Sequence, residues 1–221
     1  LPLPGGMRVM TGNRKIVHPS LVDRLVEHVF DAVLTGDLKT GAKVTEDELA
    51  SGFGVSRTPV REAVKRLAEM GVLVIHPRSR LEVISFGNGD VEQITQLRVE
   101  LECFALRLAM KTMTPGELAG MEKLAGDCEN ALKKGVRSEI FKADSRFHLS
   151  FAEYSHNRYL LETLKRLDVK IQLCRMITCA SMPKIEKNVR FHRQLLDAIR
   201  KGNADEAESL LKQHIGVMFD V

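Results

Sequence analysis

The sequence predicts a mainly α-helical protein in two parts: three helices and a β-hairpin, followed by an all-α bundle of six or seven helices. Three observations predict it. Apolar residues recur at three- and four-residue spacing along most of the chain. That period is broken over 72–84, where two β-branched runs flank a basic turn. A glycine-rich joint, Ser85-Phe86-Gly87-Asn88-Gly89, then separates the periodic segments and divides the chain into units at 19–86 and 90–221.

The elements follow in order. Residues 1–18, opening Leu1-Pro2-Leu3-Pro4-Gly5-Gly6, read as a flexible tail. Leu21, Leu25, Val29, Ala32 and Val33 mark a helix over 19–35, which Gly36 ends. Thr45-Glu46-Asp47-Glu48 has the form of a capping box and starts a short helix that runs to about Phe53. Gly54-Val55 makes a turn. Ser56 is a suitable N-cap for the third helix, Pro59 sits in its first turn, and Gly71 stops it after Met70. Val72-Leu73-Val74-Ile75 and Leu81-Glu82-Val83-Ile84 form the hairpin around His76-Pro77-Arg78-Ser79-Arg80. From Asp90 onward amphipathic helices cover roughly 90–111, 115–134, 137–155, 157–180, 184–201 and 204–219. Thr114-Pro115-Gly116-Glu117 and Asn203-Ala204-Asp205-Glu206 are well-formed helix starts.

Composition narrows the class. Apolar residues make up 44 %, enough for a core and too many for a disordered chain. There is no apolar run of membrane-spanning length and no signal peptide, which predicts a cytoplasmic protein with no membrane partner. The four cysteines, Cys103, Cys128, Cys174 and Cys179, form no CxxC pair and lie in helical patterns, so they read as reduced core thiols. A net charge of +4 permits a nucleic-acid partner without arguing for one. Even the local run of Arg57, Arg61, Lys65 and Arg66 against Glu62 is, on charge alone, a solvated helix face.

Order says more than charge. Helix, short helix, tight turn, third helix and hairpin is the order of a winged helix-turn-helix, whose third helix enters the major groove. Arg57 and Arg61 are four residues apart and share one face at the start of that helix, where arginine bonds guanine or phosphate. Ser56 and Thr58 are placed to donate to phosphate oxygens. Arg78 and Arg80 put charge on the wing, where an arginine can enter a narrow minor groove.

The run Gly54-Val55-Ser56-Arg57-Thr58-Pro59-Val60-Arg61-Glu62-Ala63 resembles the helix-turn-helix signature of the GntR family of bacterial regulators. Glu46, Glu48, Leu49 and Ala50 before it, and Leu67, Gly71 and Leu73 after it, extend the resemblance over about 19–84. It implies contacts to double-stranded DNA from Ser56, Arg57, Thr58 and Arg61. One departure is Arg80, which stands where the family's wing usually carries glycine.

In the second unit the informative residues are polar ones inside apolar stripes, because burial without a partner is costly. Asp144 and His148 fall among Ile140, Phe141, Phe147 and Phe151. His192 shares a face with Leu195, Leu196 and Ile199, and His214 one with Leu210, Leu211, Val217 and Met218. Singly, each histidine is more often a satisfied core residue. Together, if the helices meet, one carboxylate and three imidazoles suit a divalent metal: zinc, nickel or manganese. His18, His28, His76 and His156 lack such a setting. Arg98 lies in a stripe of Val91, Ile94, Leu97, Leu101, Ala105 and Leu108 and needs an acid. Glu102 one turn on is the plain partner; a ligand carboxylate is the sharper one.

Arg98 with Glu102, Asp144-x-x-x-His148 with Phe147, Asn157, His192 with Leu195-Leu196 and Ala198-Ile199, and His214 together resemble the C-terminal sensing domain of the FadR-type GntR subfamily, over about 90–218. The resemblance implies a metal, zinc first, on Asp144, His148, His192 and His214. It implies a small organic acid beside that metal, with Arg98 and Asn157 as effector contacts. It also implies a homodimer on a palindromic operator, a repressor more often than an activator. Acyl-CoA-binding members lack this ligand set, which argues against a fatty acyl effector. Two alternatives stand beside this reading: the same regulator with a structural or metal-sensing site, and a metal-dependent hydrolase, for which no general base is evident.

Overall fold

The computed structural model describes residues 19–77, 80–87, 89–178 and 181–216. The first helix, α1 (Leu21–Thr35), starts at a capping box that the sequence reading did not single out. The Asp23 N–H donates to Ser20 Oγ at 3.1 Å, and the Asp23 carboxylate accepts the Ser20 N–H at 2.8 Å. Gly36 closes the helix at φ 85°, a conformation glycine adopts without strain. Then come β1 (Lys43–Thr45), α2 (Glu46–Phe53), α3 (Arg57–Glu69), β2 (Leu73–His76) and β3 (Arg80–Val83). The expected hairpin is therefore two strands of a three-stranded antiparallel sheet in the order β1-β3-β2. Strand β1 has only three residues, too few for a period to show, and it exists because Val44 pairs across from Leu81. Leu25, Val29, Leu34, Val64, Leu67 and Leu81 lie at the centre of this unit's core.

The second part comprises α4 (Asp90–Thr112), α5 (Pro115–Lys134), α6 (Arg137–Tyr154), α7 (Arg158–Thr178), α8 (Met182–Arg200) and α9 (Ala204–Gly216). These are the six expected helices, with ends shifted by a residue or two. The last residues of the expected helices 157–180 and 204–219, at 179–180 and 217–219, lie outside the described residues, as do the tail at 1–18 and Asn88. Helix α6 packs against α4, α5 and α7, and it is buried on nearly all sides. That burial is why Asp144, Ser145, His148 and Ser150 are interior despite being polar. Cys103, Cys128 and Cys174 are buried free thiols, as expected, and burial pushes the Cys103 thiol up to about 12.

Helix α4 corrects the expected stripe. Its buried face is Thr95, Arg98, Glu102, Cys103, Ala105, Leu106 and Ala109. Leu97 is 49 % exposed and Phe104 41 %. An apolar period alone points to the wrong face because the helix turns its ion pair inward.

The two parts are not joined by the glycine segment alone. Leu173 of α7 is buried in the winged-helix core, and Met176 one turn on touches both cores. Lys142 of α6 forms an ion pair with Asp31 of α1.

Candidate metal centre and DNA-binding face

Helix α3 presents Ser56, Arg57, Thr58 and Arg61 on an exposed surface at its start. Ser56 occupies the N-cap position, but its side chain makes no capping hydrogen bond, so the hydroxyl is not used by its own helix as expected. Arg57 lies 2.5 Å from Asp47, and Arg61 Nε donates to Glu46 at 2.8 Å. Both acids belong to the first turn of α2, so α2 holds the α3 arginines in place. Arg66, further along, is paired with Asp23 and Glu62. Arg80 is exposed on β3, facing His76 across the wing. Arg78 lies outside the described residues.

The bundle brings the four expected ligands together. Asp144 and His148 come from α6, His192 from α8 and His214 from α9. All four are buried, and one ligand atom from each lies within 4.8 Å of the other three. His148 Nε2 is 2.8 Å from His214 Nε2 and 3.6 Å from Asp144 Oδ2; His192 Nε2 is 3.0 Å from Asp144 Oδ1. Outward from this centre, His148 Nδ1 donates to Glu102 Oε2 at 2.6 Å. That bond fixes the tautomer and turns the Nε2 lone pair inward. Glu102 is held in turn by Arg98 Nε at 2.7 Å.

Electrostatics favour the protonation states a metal needs. Burial pushes the His148 imidazolium down, partly opposed by Glu102 and Asp144. Burial, with the neighbouring His148 and His192, holds His214 well below the usual histidine range. Burial would raise Asp144, but Arg175, His148 and His192 outweigh it and hold the carboxyl well below its ordinary range. Glu102 is likewise brought to about 2, burial being overcome by Arg98 and His148. The centre thus favours neutral imidazoles at His148 and His214 and an ionised carboxylate at Asp144. His192 Nδ1 and His214 Nδ1 are buried with no hydrogen-bond partner among the described residues. The donor set and its convergence fit a four-ligand zinc, nickel or manganese site.

The two expected effector contacts are placed differently: Arg98 stands one residue behind His148, through Glu102, and Asn157 lies at the start of α7. Arg98 is 1 % exposed and engaged by Glu102, the plain partner. Asn157 caps α7, its Oδ1 accepting the Leu160 N–H at 3.1 Å, about two turns of helix beyond His148. The sequence reading missed Arg175. It lies on α7, 3 % exposed, with Nη2 2.5 Å from Asp144 Oδ2. Its signal was available: a lone arginine in the apolar run Leu173-Cys174-Arg175-Met176 is the same anomaly that drew attention to Arg98.

A winged helix-turn-helix with exposed arginines at the head of its third helix defines a DNA-binding regulator. The chain belongs to the GntR family. Residues 21–83 match the family described as bacterial regulatory proteins, gntR family, and residues 93–217 match the FCD domain. The HTH-type transcriptional regulator YdhC of Bacillus subtilis strain 168 is 31 % identical over 189 residues, 85 % of this chain and 83 % of that protein. The HTH-type transcriptional repressor RspR of Escherichia coli is 25 % identical over 79 % of this chain and 77 % of its own. The solved structure of E. coli McbR/YncC superposes with a TM-score of 0.74 at 25 % identity, covering 90 % of this chain and 97 % of that one. These relatives are transcription regulators, which removes the hydrolase alternative. Glu102, the carboxylate beside the ligands, is moreover fully engaged by His148 and Arg98. Among the described residues no helix is long and apolar enough to cross a membrane.

Proposed function

We propose that this regulator binds a roughly palindromic operator as a homodimer, and that a small organic acid bound beside a divalent metal controls that binding. Asp144, His148, His192 and His214 would hold the ion, with zinc the first candidate and nickel or manganese next. The observation that carries the reading is the convergence of those four buried ligand atoms within 4.8 Å. When bound, the metal supplies a Lewis-acidic positive charge that attracts a carboxylate. The sign is repression, released by the acid. DNA is read by the unit at 19–86, through Ser56, Arg57, Thr58, Arg61 and the wing, and the acid is sensed by the unit at 90–221.

Helix α7 is the physical route between them. Arg175 touches the metal ligand Asp144, while Leu173, two residues earlier, is buried in the winged-helix core. A ligand that favours one placement of α7 therefore favours one placement of α1 and α3. The outer face of α4 supplies the dimer contact in this reading. Leu97 and Phe104 are exposed, Leu101 and Leu108 half-buried, and their spacing makes a continuous seam that a second copy of α4 can cover.

The test is thermal unfolding of zinc-reloaded protein against small mono-, di- and tricarboxylates and sugar acids, with sedimentation to read the mass. An acid present at about 100 times its dissociation constant adds about 2.7 kcal/mol. The expected result is an acid-dependent shift that a chelator abolishes, in a particle of two chains, together with release of operator DNA by the same acid. A shift from zinc alone, with none from any acid, would instead mark a structural or metal-sensing site.

A further inference from the structure

Helix α7 changes character along its length. Over its first half burial is one-sided: Leu160 and Leu164 lie in the bundle core, while Tyr159, Glu162, Lys165 and Arg166 are exposed. Further on, Ile171, Gln172, Leu173, Cys174 and Arg175 are buried in succession. Five residues span more than one helical turn, so this stretch is enclosed on every side. A single packing partner buries one stripe of a helix; enclosure takes a second.

The second partner is the winged-helix unit. Val169, Leu173 and Met176, four and three residues apart, make one stripe of α7 that packs into that unit's core. The stem of Lys170 lies against Gly71, at the turn that ends α3. Helix α1 meets both α6 and α7, and its Asp31 pairs with Lys142 of α6. The opposite side of α7 is tied to the bundle. Asp168 accepts a hydrogen bond from Ser145 Oγ of α6 and another from Gln172 Nε2 at 2.7 Å, and Arg175 reaches Asp144, also on α6. One helix is therefore held by both units over the same two turns.

Units joined by a linker alone meet through polar, dispensable surfaces and move independently. Here the contact is a leucine 1 % exposed inside the neighbouring core. Without it that core opens to water, and a unit as small as this winged helix has little core to spare.

We propose that α7 is a shared core element: the winged-helix unit has no complete core of its own, and it folds and opens together with the bundle as one cooperative body. The segment at 85–89 is then a covalent connection and not a hinge about which the two units turn freely. A change of state in the bundle reaches α1 and α3 through packed side chains. Cooperative opening needs neither metal nor acid; the α7 route proposed above is one consequence of it.

The test is hydrogen exchange of the full chain, treated with chelator so that metal content is the same in every sample. Peptides from α1 and α3 report on one unit and peptides from α6 on the other. Leu211→Ala is made in the bundle core on α9, a helix that packs mainly on α4 and α8. It is expected to speed exchange of the most protected α6 amides by about 30-fold or more, and that of the α1 and α3 amides by the same factor. Leu173→Ala is expected to speed both sets by a similar amount. Ile199→Val removes one methylene from the bundle core and gives the same pattern at about two- to tenfold, should the larger truncations prevent folding. If Leu211→Ala or Ile199→Val speeds α6 and leaves α1 and α3 as in wild type, the winged helix opens on its own and the proposal is overturned. Acceleration confined to either unit in Leu173→Ala overturns it as well.

Discussion

Arg57 and Arg61 on α3, and Arg98 and Arg175 in the bundle, each meet a carboxylate at 2.5 to 2.8 Å. Their surroundings differ. The α3 side chains are 64 % and 60 % exposed; the bundle side chains are 1 % and 3 % exposed. In water the pair gains little, because solvent screens it and two long side chains lose freedom to hold it. On the proposed docking of α3 to DNA, a duplex phosphate would readily replace the exposed Asp47, so that Arg57 is kept oriented without being committed. In the interior the same contact is obligatory. Each ion has lost its hydration, and removing either partner leaves a charge with nothing to balance it. One kind of pair suits exchange with a partner macromolecule; the other suits a site whose state changes only when a compensating charge enters.

The sharpest way to break this contrast is Glu102→Ala. It strips the carboxylate from both Arg98 and His148 in a setting where Glu102 is 3 % exposed. The expected loss is about 3–5 kcal/mol in chemical denaturation of the chelator-treated protein. Metal affinity, measured by competition with a chromophoric chelator, is expected to fall about 10- to 100-fold, because His148 loses the group that orients it. A loss of under about 1 kcal/mol would place the buried pair in the same class as the exposed ones.

How far the two regions could be read from sequence also differs. The winged-helix unit was legible because its signals are local: a capping box at Thr45, the Gly54 turn, and arginines at Arg57 and Arg61 one helical turn apart. Strand β1 escaped, since a three-residue strand is made by its pairing with β3 and not by its own pattern. In the bundle the four ligands stood out as polar residues on apolar faces, yet their convergence depends on how α6, α8 and α9 pack. On α4 the apolar period pointed outward, to Leu97 and Leu101, because Arg98 and Glu102 occupy the inner face and count against burial on any hydrophobic scale. Asn157, an effector contact by resemblance, caps α7 in the structure, a role the sequence reading did not give it. That Leu173 belongs to the winged-helix core gave no signal at all; which side of α7 meets that unit is set by packing alone.

On the exposed side the expected effects are smaller and concern DNA. Arg61→Ala is expected to weaken specific operator binding by about 1–3 kcal/mol. Folding stability should change little, since Arg61 itself stands in solvent. Titration of a labelled fragment from the regulator's own upstream region, with denaturation run in parallel, measures both. Unchanged operator affinity would remove Arg61 from the interface.

The smallest effect bears most directly on the idea of exchange. Asp47→Asn removes the acid that holds Arg57 in the free protein, on a side chain that is 57 % exposed. Stability is expected to change by less than about 1 kcal/mol. Binding to DNA is expected to tighten about two- to fivefold at low salt, because Arg57 no longer leaves a carboxylate to reach a phosphate and one negative charge is gone from the docking face. Since screening weakens interactions among exposed charges, the gain should shrink as salt rises through physiological strength. If Asp47→Asn instead weakens binding, Asp47 orients Arg57 in the complex as well, and the α2 acids belong to the docking surface as supports and not as exchangeable partners.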